Sequence, residues 1–173
     1  MNELDEVWAQ KLNEAINQAH SDGRSDVADY LALKASNDAL RSTGVKWLFD
    51  ALLEIASFAN RNNSSITIEN DNPHQFTFGN ANLVGSVLRF RQGVRCLTLE
   101  AGWTRTPTDG FMRGGALACA KLTHFGIGKH NAELLLVHSN SLLNWVSIDK
   151  NGGKNTFDSH HLNQHFQIFA GEI

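Results

Sequence analysis

The stretch that decides the fold is residues 83–105, LVGSVLRFRQGVRCLTLEAGWTR. On both sides of Gln92-Gly93, apolar residues alternate with polar or small ones, and this period of two is typical of half-buried β-strands. A glycine-containing dipeptide between two such runs favours a tight turn. The stretch therefore predicts a long antiparallel ribbon. Three arginines are expected near its tip: Arg89, Arg91 and Arg95.

Further strands are predicted on both sides of this ribbon. Alternating residues over 66–69 and 75–78 predict a β-hairpin with its turn at residues 70–73. Three later segments also have strand character: 115–125, 132–139 and 144–148. The tail at residues 160–170 fits either a last strand or a short helix. We therefore expect an antiparallel sheet of six or seven strands.

The first third of the chain has helical periodicity instead. Apolar residues recur at helical spacing over three segments, about 3–20, 25–36 and 45–59. Residues 36–38, Ser-Asn-Asp, favour helix caps and predict a break between the second and third helices. The sequence thus predicts an α+β fold in which three N-terminal helices pack on one face of a curved antiparallel sheet.

The chain has no linker and no internal repeat, so we expect a single domain over residues 1–173. Its helical part is expected at about 1–61 and its sheet part at about 65–170. Hydrophobic residues make up 42% of the chain and charged residues 19%, which is an ordinary globular composition. No apolar run approaches the roughly 20 residues of a membrane-spanning helix, so no membrane association is expected.

The N-terminus is acidic and amphipathic, unlike a signal peptide. Both cysteines, Cys96 and Cys119, lie in apolar segments and are interpreted as buried free thiols. A disulfide between them requires that their strands pair, which the sequence leaves open. The expected compartment is the cytoplasm, and no cofactor or metal is predicted.

Charge is distributed unevenly along the chain. Residues 1–60 carry ten acidic and five basic side chains, a net charge of −5. Residues 61–173 carry eight acidic and ten basic side chains, a net charge of +2. The sheet part is therefore the better candidate for binding an anion, and the acidic helical part for binding another protein.

An anion-binding site is predicted on the ribbon and on the loop at residues 103–115. Guanidinium groups bind phosphate oxygens, an indole offers a base a stacking surface, and glycine amides in a loop can cradle an anion. The candidate ligand-binding residues are Arg89, Arg91, Arg95, Trp103, Arg105, Arg113, Gly114 and Gly115. Two alternatives stay open. The arginines can be a solvated strand edge, and the loop can be a plain connection with Phe111 and Met112 in the core.

Histidines suggest a second possibility, because seven of the eight follow residue 70. His124 and His138 lie near the ends of consecutive predicted strands, so strand pairing can bring them together for acid–base work. Glu100, in the middle of an apolar strand, is a candidate general base if it is buried near His124. His161 and His165 have the i, i+4 spacing of metal ligands, but no third ligand is evident nearby apart from Asp158.

Three functions follow from these patterns. The first is a non-catalytic binding module for a nucleotide, a nucleic acid or another phosphate compound. The second is a small hydrolase or phosphoesterase that uses His124 and His138, so whether the protein is an enzyme is left open. The third is a protein-interaction domain of the inhibitor or immunity type that uses the acidic helices. Association of identical chains through the sheet is a further possibility.

Overall fold

A computed structural model describes residues 3–173, so the first two residues of the predicted domain lie outside the described part. The elements follow in the order α1 (Glu3–Ser21), α2 (Ser25–Arg61), β1 (Thr67–Phe78), β2 (Ala81–Gln92), β3 (Arg95–Trp103), β4 (Ala118–His124), β5 (Ala132–Ser139), β6 (Leu142–Ile148), β7 (Lys154–Phe157) and α3 (Ser159–Ala170). The α+β class and a sheet of seven antiparallel strands are confirmed.

The prediction of three N-terminal helices was wrong. Two helices, α1 and α2, precede the sheet, and the third follows it. The expected break at residues 36–38 is absent because no glycine or proline interrupts α2 there. Asp38 lies inside the helix, where its carboxylate accepts a 2.7 Å hydrogen bond from Arg41 one turn later. A capping residue inside a continuous helix can thus pair with a neighbouring side chain rather than end the helix.

The tail forms a helix rather than a last strand. Asp158 caps its first turn, because its side chain accepts hydrogen bonds from the backbone N–H groups of His160 and His161. Gly171 ends it with a φ of 78°, a left-handed conformation that favours glycine. The buried residues of α3 lie at i, i+4 and i+7: Leu162, Phe166 and Phe169.

The sheet is a meander in which each strand pairs with the next, from β1 to β7. The predicted hairpin at residues 66–78 is instead one long edge strand, β1, with a register shift between Asp71 and His74. Both halves of β1 pair with β2, so the extra residues around Pro73 are absorbed as a bulge. The chain turns only after this strand, at Gly79-Asn80, where Gly79 has a φ of 58°.

The chain comprises two compact units, one reaching to Ser42 and the other running from Thr43 to Ile173. In the second unit, the last part of α2 and the whole of α3 cover one face of the sheet. We call this the helix-covered face; it carries Leu88, Leu97, Leu99 and Leu122, all with no exposed surface. Trp145 donates a 3.0 Å hydrogen bond to the carbonyl oxygen of Gly44, which ties α2 to β6.

The opposite side of the sheet, which we call the second face, carries Arg89, Thr98, Glu100 and Lys121. One end of it is apolar and buried. This smaller cluster consists of Phe78, Ala81, Leu83, Ala116, Cys119 and Leu135, with Met112 of the connecting loop packed against it. The other end is polar, and it holds most of the charged side chains of the central strands.

The first unit consists of α1 and the first part of α2. Leu12, Ala19 and Ala28 are its buried residues, and the Lys34 ammonium lies 5.5 Å from the centre of the Trp8 ring. Tyr30 and Leu33 are 66% and 62% exposed. The pair of helices therefore presents apolar side chains as well as its acidic ones to the surroundings.

Candidate functional site

The structure separates the predicted ligand-binding residues between the two faces of the sheet. Leu88 pairs with Leu99, so Arg89 lies opposite Thr98 and Arg91 lies opposite Cys96 on the second face. Arg95 and Trp103 alternate with these positions and belong to the helix-covered side. The ribbon therefore does not gather its arginines and its tryptophan on one binding surface.

Arg95 contacts the end of α3. Its Nη1 atom donates a 2.7 Å hydrogen bond to the carbonyl oxygen of Ala170, and its guanidinium lies against Gly171. A cation at this position satisfies a free carbonyl and interacts favourably with the negative end of the helix dipole. The contact explains Arg95 by helix docking.

A depression of about 280 Å³ at the tip of the ribbon brings residues of both faces together. Arg91 and Arg95 line it together with the exposed side chains of Val94 and Phe125. Apolar surface accounts for most of this lining, and both arginines already have partners in Glu69 and Ala170. The tip is therefore a weaker candidate for an anion than the polar part of the second face.

Trp103 and Arg105 contact each other. The Arg105 guanidinium lies 4.0 Å from the centre of the Trp103 ring, and its Nη2 atom donates to the carbonyl oxygen of Val84. The loop that follows is organised by Asp109, whose carboxylate accepts hydrogen bonds from the backbone N–H groups of Thr106 and Arg105. These bonds, that of Thr106 foremost, lower the pKa of Asp109.

The loop agrees in part with the prediction that Phe111 and Met112 lie in the core. Met112 packs against the smaller apolar cluster, as a structural connection requires, but Phe111 is 95% exposed. Gly114 and Gly115 both have positive φ, and the N–H of Gly115 bonds the carbonyl oxygen of Met112 within a short 3₁₀ turn. Arg113 reaches the second face and forms a 3.0 Å ion pair with Glu133.

On the second face, a short side-chain contact joins His74 to Glu100. Their Nε2 and Oε1 atoms are 2.6 Å apart, and both side chains are about one-fifth exposed. His74 pairs with Gly85, and Gly85 with Gly102, so no side chain lies in the way of the ring. A Cβ at Gly85 would collide with the backbone of Ala101, which makes glycine necessary there.

Cationic side chains surround this contact. Arg89 forms a 2.8 Å ion pair with Asp71, and Arg91 lies 3.4 Å from Glu69. In the strand register, Lys121 lies opposite Glu100 of β3 on one side and opposite Glu133 of β5 on the other. Its ammonium donates to the carbonyl oxygen of Thr77 and lies over the Phe78 ring.

Two threonines separate Arg89 from Lys121. Thr98 lies opposite Arg89 on β2 and opposite Thr123 on β4, while Lys121 is two residues along β4 from Thr123. Because alternate residues share a face, all four side chains lie on the second face. We call this group, Arg89, Thr98, Lys121 and Thr123, the polar patch. It combines one guanidinium, one ammonium and two hydroxyl groups on three central strands.

The histidines proposed for catalysis are not brought together. Leu122 pairs with Ala132 and Ala118 with Leu136, so His124 and His138 lie at opposite ends of the β4–β5 ladder. Glu100 is on the second face, bonded to His74, whereas His124 contacts α3 on the other face. A shared pocket for His124, His138 and Glu100 therefore does not form.

His124 belongs to a different group, which lies between the sheet and α3. It is 3% exposed, and its Nε2 atom is 2.9 Å from Nδ1 of His165. The two rings stack with their centres 5.2 Å apart, and His130 approaches His124 edge-on at 6.1 Å. Burial lowers the pKa of His165 to about 4, with contributions from His124, His130 and His161. Burial, followed by the charge of His130, also lowers the pKa of His124.

The i, i+4 pair on α3 does not converge on one point. His165 bonds His124, whereas Nδ1 of His161 bonds the Asp158 carboxylate at 2.7 Å. Among residues 3–173, no group of three or more histidine, cysteine or acidic side chains is arranged to hold a metal ion. Cys96 and Cys119 are both free thiols. Cys96 lies at the start of β3, whereas Cys119 of β4 lies opposite Gly102, near the end of β3.

Comparisons with protein-family models, with curated proteins and with solved structures found no match for this chain. Within the described range, no helix has both the length and the apolar character needed to cross a membrane.

Sequence reasoning identified Arg89 but missed the rest of the polar patch. Thr98, Lys121 and Thr123 join it only through the register of β2, β3 and β4, which alternation within one strand does not give. His74 was overlooked as well. Gly85 and Gly102, two glycines inside predicted strands, were the available signal, since such glycines mark places where another group approaches closely.

Proposed function

We propose that this chain is a binding module for an anionic, phosphate-bearing ligand, which it holds on the polar patch of the second face. The observation that carries the proposal is that Arg89, Thr98 and Thr123 lie side by side in one cross-strand row of the second face, with Lys121 two residues along β4 from Thr123. A guanidinium forms paired hydrogen bonds with phosphate oxygens, an ammonium adds a point charge, and hydroxyl groups donate to the remaining oxygens.

The internal ion pair of Arg89 is weak enough to be replaced. Asp71, the partner of Arg89, has a side chain that is 64% exposed. Exposed ion pairs contribute about 0–1 kcal/mol, since water and salt screen them. A phosphate group that accepts several charge-assisted hydrogen bonds at once can therefore displace this carboxylate.

The rigid position of the patch supports recognition rather than mere attraction. Its residues stand on β2, β3 and β4, which are paired on both sides within the sheet. Binding then requires little ordering of the backbone, which is the main cost when a flexible loop holds a ligand. Arg91 and Arg113 extend the positive charge at the two ends of this surface.

The test is a titration with inorganic phosphate, pyrophosphate, ATP and a short single-stranded oligonucleotide, followed by NMR of the backbone amides at low salt. The amide signals of residues 98, 121 and 123 should shift, and raised salt should weaken the binding steeply. Arg89→Gln and Lys121→Gln should each lower the affinity about tenfold or more, because each removes a charge-assisted contact.

Lys129→Gln is the matched control, since it removes one positive charge from an exposed turn that is not part of the polar patch. Arg89→Lys separates geometry from charge, because lysine keeps the charge but loses the planar fork. The proposal fails if none of the four probes shifts the patch signals. It also fails if Lys129→Gln weakens binding as much as Arg89→Gln does.

The exposed apolar side chains of the first unit favour a second candidate function, protein–protein interaction. Tyr30 and Leu33 lie one turn apart on α2 in a surrounding of acidic residues. A second copy of the chain is the first partner to test, by sedimentation velocity over a range of concentrations. Leu33→Glu should abolish association through this surface; association that survives the change would implicate the edge strand β1. A monomer at every concentration rules out self-association.

A further inference from the structure

The strongest unexplained feature outside the polar patch is the contact between His124 of β4 and His165 of α3. His124 is the buried polar side chain of the second unit's core, at 3% exposure. Its hydrogen bond to His165 is 2.9 Å long, and neutral imidazoles satisfy it because one ring nitrogen donates while the other accepts. The bond therefore requires that at least one of the two rings lack a second proton.

We propose that the His124–His165 pair is a proton-sensitive latch, which holds α3 on the sheet at neutral pH and releases it in acid. The first added proton places a positive charge in a buried apolar site. The second leaves a hydrogen on both facing nitrogens, so the hydrogen bond can no longer form. Each step disfavours the docked position of the helix.

The groups around the pair strengthen this response. His130 approaches from the turn after β4, and His161 lies one turn earlier on α3 than His165. Phe157 stacks on the His161 ring and lies tilted against the His165 ring. In addition to burial, the charges of His130 and His161 lower the pKa of His165 further. The carboxylate that touches this group, Asp158, bonds His161 rather than the buried pair. Lys129 lies beside His130 on the same turn and adds a permanent positive charge.

The apolar contacts of α3 and its contact with Arg95 do not depend on pH in the same range. Its apolar face buries Leu162, Phe166 and Phe169, and Arg95 bonds its last turn. Glu172 follows the helix at the end far from the latch. Asp158, the N-cap, has a lowered pKa because His161 bonds it, so it loses its charge only below the ordinary range of a carboxyl group. Histidine protonation comes first as the pH falls.

Release of α3 has a defined consequence. Three apolar side chains of the helix and the core strand residues beneath them become accessible together. The latch thus couples proton uptake to exposure of an apolar surface that is hidden at neutral pH.

The test is hydrogen exchange of the α3 amides between pH 7 and pH 4, corrected for the intrinsic pH dependence of exchange, with the β3 amides as the internal reference. Protection of α3 should fall at least tenfold relative to β3 as the pH drops, and His165→Gln should abolish most of this difference. Glutamine is neutral at every pH and can still bond the His124 ring. His160→Gln is the matched control, because His160 lies on the same helix and is exposed.

Ring signals of the histidines in the unaltered protein give a second test, which does not rely on a variant that folds. His124 and His165 should titrate below the ordinary pKa of a histidine, and the α3 amides should lose protection over the same interval. The latch is overturned if α3 keeps its protection while both rings titrate. It is equally overturned if His165→Gln shows the full pH-dependent loss of protection. If Asp158→Asn removes that loss, the N-cap rather than the histidine pair is responsible.

Discussion

The two faces of the sheet accommodate polar side chains in different ways. The helix-covered face buries His124 and keeps it neutral against His165, whereas the second face keeps its charges and pairs them near water. The difference in access to solvent accounts for this. A charge in the buried layer costs far more than one in a screened ion pair, so burial selects groups that can lose their charge near neutral pH. The contacts of the helix-covered face should therefore depend on pH, and those of the second face on salt concentration.

The largest contrast in stability between the faces is expected for phenylalanine truncation. Phe90→Ala removes a fully buried ring under the helices and should lower the free energy of unfolding by about 3–5 kcal/mol, because the surroundings cannot fill the cavity. Phe76→Ala, on the second face, removes a partly exposed ring and should cost less than half as much. Denaturant unfolding of the two variants gives the comparison. Equal losses would mean that the second face is as well covered as the first.

Gly85→Ala tests whether the second face depends on the close approach of its strands. An alanine Cβ would collide with the backbone of Ala101 and Gly102 rather than with a flexible side chain. We expect a loss of about 2–3 kcal/mol, comparable with other changes that force backbone shifts. Ser86→Ala, at the adjacent position, is the control. Gly79→Ala would not serve, because the positive φ of Gly79 strains an alanine. A Gly85→Ala variant as stable as Ser86→Ala would contradict the packing argument.

The free energy of unfolding should depend on pH because of His165, which contacts His124 of the helix-covered face. The pKa of His165 is about 4 in the folded protein and about 6.5 in the unfolded chain, so the unfolded chain binds more protons between these values. Stability should therefore fall as the pH drops through about 6.5 and level off below about 4, by on the order of 2 kcal/mol. Unfolding curves at several pH values measure this. His165→Gln should flatten the profile relative to that of the unaltered protein.

Much of the sheet could be predicted from the sequence, because alternation within a strand is a local property. The ribbon at residues 83–105 and the apolar face of Leu97 and Leu99 follow from it. The short strand β7 at Lys154–Phe157 was not predicted, and the hairpin predicted at residues 66–78 is the single strand β1. The helix count failed where local signals were ambiguous. The Ser-Asn-Asp run at residues 36–38 has the composition of a cap, but only tertiary context decides whether a continuous helix ends there.

The candidate site was harder to predict because it depends on register. The sequence places Arg89 and Arg95 near one turn, yet one residue of offset sends them to opposite faces. His124 and His138 looked close as ends of consecutive strands, but antiparallel pairing put them at opposite ends of the ladder. The partner of His124 lies on α3, 41 positions along the chain, in a segment that the sequence left open between helix and strand.

The smallest effect is expected for the ion pair between Arg89 and Asp71 on the second face. In a double-mutant cycle with Arg89→Ala and Asp71→Ala, the coupling energy should be about 0.2–1 kcal/mol and should decrease with added salt, because Asp71 is mostly exposed. The weakness matters for the proposed function, since an arginine held loosely by a carboxylate is free to exchange it for a phosphate. A salt-independent coupling well above this range would mean that Arg89 is committed to the sheet, and the anion site would then have to rest on Lys121 alone.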